Sequence, residues 1–137
     1  PVMKLHKNND WLGTAQNKVV KIVAPLLKHL DPQYRYKIIF MKRDLGEIIK
    51  SQQIMTGKHD DVMPVTLFNS YVRLLQNIEG WKEQEPHIEM VYVEYKDILE
   101  NTNETLEKLL PFIGVPLEKE AMANCIDPTL YRNRSST

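Results

Sequence analysis

Arg43 and Ser51 stand eight positions apart in the stretch "KIIFMKRDLGEIIKSQQ", residues 37–53. A guanidinium presents a fixed fork of donors that matches the oxygens of a phosphate, and a hydroxyl can add a neutral donor to the same group. The apolar run before Arg43 has the composition of a strand, and Asp44 is a good helix cap. A helix start adds free backbone N–H groups and a positive dipole end. The chemistry these residues suggest is anion binding. Ser51 lies seven residues past the cap, roughly 10 Å along the axis at about 1.5 Å per residue. It cannot join an anion held on the helix axis, but it can meet one lying beside the helix, where Arg43 folds back from the strand. On spacing alone a plainer alternative stays open: Arg43 pairs with Glu47, and Ser51 is merely exposed.

Other reactive side chains carry less. His59, Asp60 and Asp61 are adjacent, and three neighbours seldom converge on one ion, so they read as a solvated loop and no metal is expected. His29 falls in a short helical stretch, where a surface or capping role suits it. Arg132 and Arg134 in "YRNR" either add charge to an anion site or belong to a frayed basic tail. Trp81 and the apolar stripe before it read as core.

The elements that must position these residues alternate. "KVVKIVAP", about residues 18–25, is β-branched and apolar and ends at Pro25. "LLKHLDPQYR" reads as a short helix closing into a turn at Asp31-Pro32. "YKIIFMKR" reads as a second strand whose near-continuous apolar run implies burial on both faces. Asp44 then caps a helix with Leu45, Ile48, Ile49 and Gln52 along one face, and Pro64 starts a long helix running to Trp81. "HIEMVYVEY", residues 87–95, reads as a third strand. A helix over about 103–113, kinked by Pro111, stops at Gly114, and "PLEKEAMANCI" supplies one more. Three strands separated by helices imply a parallel β-sheet flanked by helices, an α/β fold, and ligands of such sheets sit outside the carboxyl ends of the strands. Arg43 is at such an end.

Length and composition set outer bounds. The chain's 137 residues suit one domain spanning 1–137, and 18 basic against 18 acidic residues leave no net field toward nucleic acid or anionic lipid. No stretch approaches the ~20 apolar residues of a membrane span. The single cysteine, Cys125, permits no internal disulfide, which suits a cytoplasmic setting. No signal-peptide layout opens the chain, and its first residue is Pro1, so it is expected to be a piece of something longer.

"FMKRDLGEIIKSQ" resembles the 3'-phosphate-binding segment of sulfotransferases that use 3'-phosphoadenosine 5'-phosphosulfate (PAPS), where a strand ends on arginine and a serine follows eight residues later. "VYVEYKDILENTNETLEKLLPFIGVPL" resembles the family's next strand, turn and helix, with Tyr95 on the tyrosine that contacts adenine in many members. "KVVKIVAPLL" resembles the strand that carries lysine, threonine and histidine in animal cytosolic members. The likeness runs from about Lys18 onward and is closest to a bacterial branch. It implies a P-loop NTPase-like fold and a donor site in which Arg43 and Ser51 hold the 3'-phosphate, Tyr95 borders adenine, and Arg132 and Arg134 add charge, with PAPS or adenosine 3',5'-bisphosphate as cofactor.

Two departures bear on catalysis. The family's N-terminal loop that holds the 5'-phosphosulfate has no counterpart here, since none of the five glycines stands in its context. The position of the family's catalytic histidine falls on Val23, which cannot take a proton, while Lys21 matches the neighbouring lysine but also suits a surface charge. The catalytic residues are therefore unknown, and the chain by itself is expected to be inactive, carrying the 3'-phosphate and adenine half of the donor site of a parent that sulfates an acceptor hydroxyl or amine. The alternative is a non-catalytic adenine-nucleotide-binding or interaction module. A phosphoryl-transfer enzyme is disfavoured by the lack of a Walker-type loop and magnesium pair. By resemblance a loop-bearing strand is missing between the first two strands, which would leave Val20, Ile22, Ile38 and Ile39 poorly covered and the chain prone to self-association. A small-molecule acceptor is expected as partner, and neither nucleic acid nor membrane.

Overall fold

The computed structural model describes residues 9–57 and 65–131. Strands β1 (Tyr36–Lys42) and β2 (Ile88–Glu94) pair as a parallel two-stranded sheet. Helices α1 (Leu45–Thr56), α2 (Val65–Gln84), α3 (Tyr95–Glu100), α4 (Thr102–Ile113) and α5 (Lys119–Asn124) follow in chain order, and short 3-10 helices occupy Asp10–Ala15, Ala24–His29 and Pro128–Leu130. Among the described residues no helix is long and apolar enough to cross a membrane.

The described residues divide into two compact units. One holds those up to Tyr36 with Thr66–Glu89, the other those from Lys37 to Val65 and from Met90 onward. The first unit buries Leu12 and Leu27 of the two N-terminal 3-10 helices, Leu30 just past the second, Ile78 of α2 and Ile88 at the start of β2. Tyr36 closes its loop by donating its hydroxyl to the Asp31 carbonyl at 2.8 Å. Trp81 is only half-buried and lines an open cleft of about 580 Å³ with Leu27, Leu74 and Ile78.

The expected strand over residues 18–25 is a correction. Residues 19–23 belong to no strand; Val23 is extended (φ −76°, ψ 140°), and Pro25 then sits in the first turn of a 3-10 helix. Val19 is fully exposed, and Val20 and Val23 are also exposed. β-Branched side chains favour extended backbone, but a strand exists only where a neighbour supplies its ladder and covers its face.

In the second unit β1 alternates: Phe40 is buried and meets Tyr92 of β2 edge-on at 5.5 Å between ring centroids, while Ile39 and Met41 are exposed. Burial on both faces is thus corrected to burial on one, as expected of a strand whose successive side chains point to opposite sides. After β1 the chain turns into α1 at the expected cap: the Asp44 carboxylate accepts the Glu47 N–H at 3.1 Å. A Cβ on Gly46 would lie 3.1 Å from that capping oxygen, so the small residue leaves the cap room. The stretch after β2, read as a turn, is instead the short helix α3. The next helix, α4, lays Thr105, Leu106 and Leu109 into the core with the spacing of one helical face, and Pro111 lies inside its last turn. It ends at Gly114 in the left-handed conformation (φ 75°), where Lys37 Nζ donates to the carbonyls of Phe112 (2.9 Å) and Ile113 (3.3 Å). A cation there satisfies carbonyls that the helix itself leaves unpaired.

Candidate functional site

Parallel neighbours bring their carboxyl ends together, so the residues just past each strand meet. Arg43 follows the last residue of β1, and Tyr95 follows the last residue of β2. The Arg43 guanidinium carbon lies 4.8 Å from the Tyr95 ring centroid, a cation–π distance. A third residue arrives from much later in the chain: Tyr131 lies edge-on to Tyr95 at 5.4 Å, with its ring centroid 5.8 Å from the Arg43 guanidinium.

Beneath this cluster is a carboxylate. Glu47, in the first turn of α1, is only 2% exposed. Its Oε2 accepts Arg43 Nε–H at 3.1 Å, and its Oε1 accepts the Tyr131 hydroxyl at 2.6 Å. A carboxylate is tolerated at such depth only when paired, and both of its oxygens are. It also lies in the first turn of α1, at the positive end of the helix. For Tyr131, donating its proton to Glu47, and lying in a buried setting, pushes the phenol up to about 12. Tyr131 is thus a neutral donor at any ordinary pH.

Lys42 and Glu94, the last residues of the two strands, stand 3.9 Å apart and both are largely exposed, so their pair adds little. Arg43 differs in that its side chain is only one-quarter exposed and is held at Nε by a buried carboxylate.

Of the residues singled out from sequence, Arg43 and Tyr95 come together. Ser51 is half-buried on α1, one turn beyond Glu47, and the described contacts of Arg43 run to Glu47, Tyr95 and Tyr131. The plainer alternative, the Arg43–Glu47 pair, is present. Arg132 and Arg134, like His59, Asp60 and Asp61, lie outside the described residues. Val23 is on an exposed extended segment of the first unit, and His29 ends a 3-10 helix there, its carbonyl accepting from Asn9 Nδ2 at 3.4 Å. Two residues escaped the sequence reading. Glu47 registered only as an ion-pair partner for Arg43, and its burial was not foreseen. Tyr131 was overlooked beside the arginines that follow it. The available signal was a single aromatic in the polar tail "DPTLYRNRSST".

An arginine just past one strand, a capped helix behind it and a tyrosine just past the neighbouring strand stand together at one end of a parallel pair. The family model for the sulfotransferase domain matches residues 33–137, most of the chain and the whole of this cluster, and the protein belongs to the sulfotransferase family. No curated protein and no solved structure matches it.

Proposed function

We propose that this chain supplies the 3'-phosphate and adenine end of a PAPS site, in a protein that transfers a sulfuryl group to an acceptor hydroxyl or amine. The observation that carries this reading is the juxtaposition of Arg43 and Tyr95 at the carboxyl ends of two parallel strands, with a guanidinium–ring distance of 4.8 Å. That position is where ligands of open α/β sheets bind, and the pair offers a charged fork beside an aromatic edge. A nucleoside with a phosphate on its ribose presents the complementary features. The residues fit this end of the donor: Arg43 would hold the 3'-phosphate with Ser51 beside it, and Tyr95 would border the base. Bound PAPS carries the sulfuryl group on its 5'-phosphate. This chain's own part in this reading is to bind and orient, since no described residue is assigned to the acceptor's proton.

A second reading is favoured by a specific observation, the Arg43–Glu47 ion pair at 3.1 Å. In it the cluster is a structural clasp and takes no ligand. Titration calorimetry decides between the two. A charge-assisted bond to phosphate is worth about 1.5–3 kcal/mol and a neutral hydroxyl bond about 1 kcal/mol. Wild type is expected to bind adenosine 3',5'-bisphosphate at least tenfold more tightly than 5'-AMP, with Arg43→Ala abolishing that preference. Ser51→Ala should reduce it less, and Arg43→Lys should restore only part of it. Equal affinities in wild type, or a preference that survives Arg43→Ala, would establish the clasp.

A further inference from the structure

Resting on the donor-site reading, we infer that Tyr131 is a positioning residue for anion recognition, acting through Glu47 to fix the orientation of Arg43. Three observations place them in series. The Tyr131 hydroxyl donates to Glu47 Oε1 at 2.6 Å, and the other oxygen of the same carboxylate accepts Arg43 Nε–H at 3.1 Å. Glu47 is 2% exposed and Tyr131 7%, so water competes poorly for the bond between them. The Tyr95 and Tyr131 rings lie 4.8 and 5.8 Å from the guanidinium and 5.4 Å from each other, so the guanidinium packs against one side of a tyrosine pair, which restrains its plane beyond what the ion pair alone does.

The consequence for recognition follows from charge and geometry. Glu47 offsets the charge of Arg43, so the cluster attracts anions weakly by net field. What it offers instead is direction: with Nε engaged inward, the Nη edge of the guanidinium is the part left to meet a ligand. A phosphate monoester takes two parallel N–H bonds from such an edge, and that contact is lost when the plane turns. A bare cationic side chain would bind any anion more indiscriminately. Tyr131 is remote in sequence from Arg43, and its hydroxyl is committed to Glu47, so its effect on ligand binding is indirect.

The test is a double-mutant cycle between Tyr131→Phe and Arg43→Ala, read as the ratio of affinities for adenosine 3',5'-bisphosphate and 5'-AMP. Phenylalanine keeps the buried ring and removes only the hydroxyl. Tyr131→Phe is expected to lower the ratio about three- to tenfold in an Arg43 background and to leave it unchanged once Arg43 is alanine. A structural role alone would lower the melting temperature and leave the ratio of the folded protein intact, and that result overturns the inference. So does a Tyr131→Phe effect that persists in the Arg43→Ala background. If Arg43→Ala itself leaves the ratio unchanged, the donor-site reading falls and the inference with it. If Arg43→Ala abolishes the preference while Tyr131→Phe does nothing, only the inference falls. Should Tyr131→Phe fail to fold, Glu47→Gln replaces it: the amide keeps the shape but loses the charge that holds Nε, and the same loss of ratio is expected. A preserved ratio in Glu47→Gln overturns the coupling.

Discussion

The two compact units bury different kinds of side chain. The first closes over five aliphatic residues: Leu12, Leu27, Leu30, Ile78 and Ile88. The second closes over Phe40, Ile49, Val93, Leu106 and Leu109, but also over Glu47, Thr105 and Tyr131. Thr105 explains itself locally, since its hydroxyl donates to the Asn101 carbonyl at 2.8 Å and helps tie α4 to α3. Glu47 has a local partner in Arg43, but its bond to Tyr131 is not local. Glu47 and Tyr131 join elements 84 positions apart in sequence, directly beneath the arginine at the end of β1. Burying a carboxylate costs several kcal/mol before pairing, which a chain seeking stability alone avoids with an aliphatic residue. The difference teaches where to look for function: in the unit that keeps a buried charge.

The largest effects should come from the apolar cores and be alike in both units. Leu106→Ala in the second and Ile78→Ala in the first should each cost about 3 kcal/mol in denaturant unfolding, from lost burial plus the cavity left behind. A much smaller cost for either would mean that its unit is not closed as described. Next in size is Glu47→Ala. Removing the carboxylate takes one acceptor from the Tyr131 hydroxyl and the ion-pair partner from Arg43, and because Arg43 is one-quarter exposed and can take up water, the cost should be about 2 kcal/mol. No aliphatic residue of the first unit has an equivalent polar penalty.

Alkaline titration sharpens the contrast further. Tyr131 holds its proton to about 12 in the folded chain, against an unfolded value of 10.0. Below pH 10 both states keep the proton and this group contributes no slope. Between about 10 and 12 the unfolded state binds fewer protons than the folded one, so stability falls as pH rises. Tyr131→Phe should flatten that part of the curve and remove a component near 12 from the ultraviolet phenolate titration. The smallest effect belongs to the segment before Pro25. Val19→Ser should change stability by less than about 0.5 kcal/mol, because Val19 is fully exposed. A loss above about 1 kcal/mol would restore the paired strand that its composition suggests.

The chain's local chemistry was legible without coordinates. Asp44 as a helix cap, Gly114 as a left-handed stop, and the strands around Phe40 and Tyr92 all follow from side-chain geometry acting over a few residues, and all are present. Arg43 was legible from its place at the end of its own strand and Tyr95 through the family resemblance, and parallel pairing leaves them side by side. What depended on distant partners could not be read. Residues 19–23 have strand composition but no ladder, and no property of Val19 or Val20 reveals a missing neighbour. Glu47 looked like an ordinary exposed ion-pair partner, one turn from an arginine. The return of the chain at Tyr131 places a hydroxyl on one of its oxygens, and a carboxylate's burial is decided by what packs over it as well as by the residues beside it in sequence.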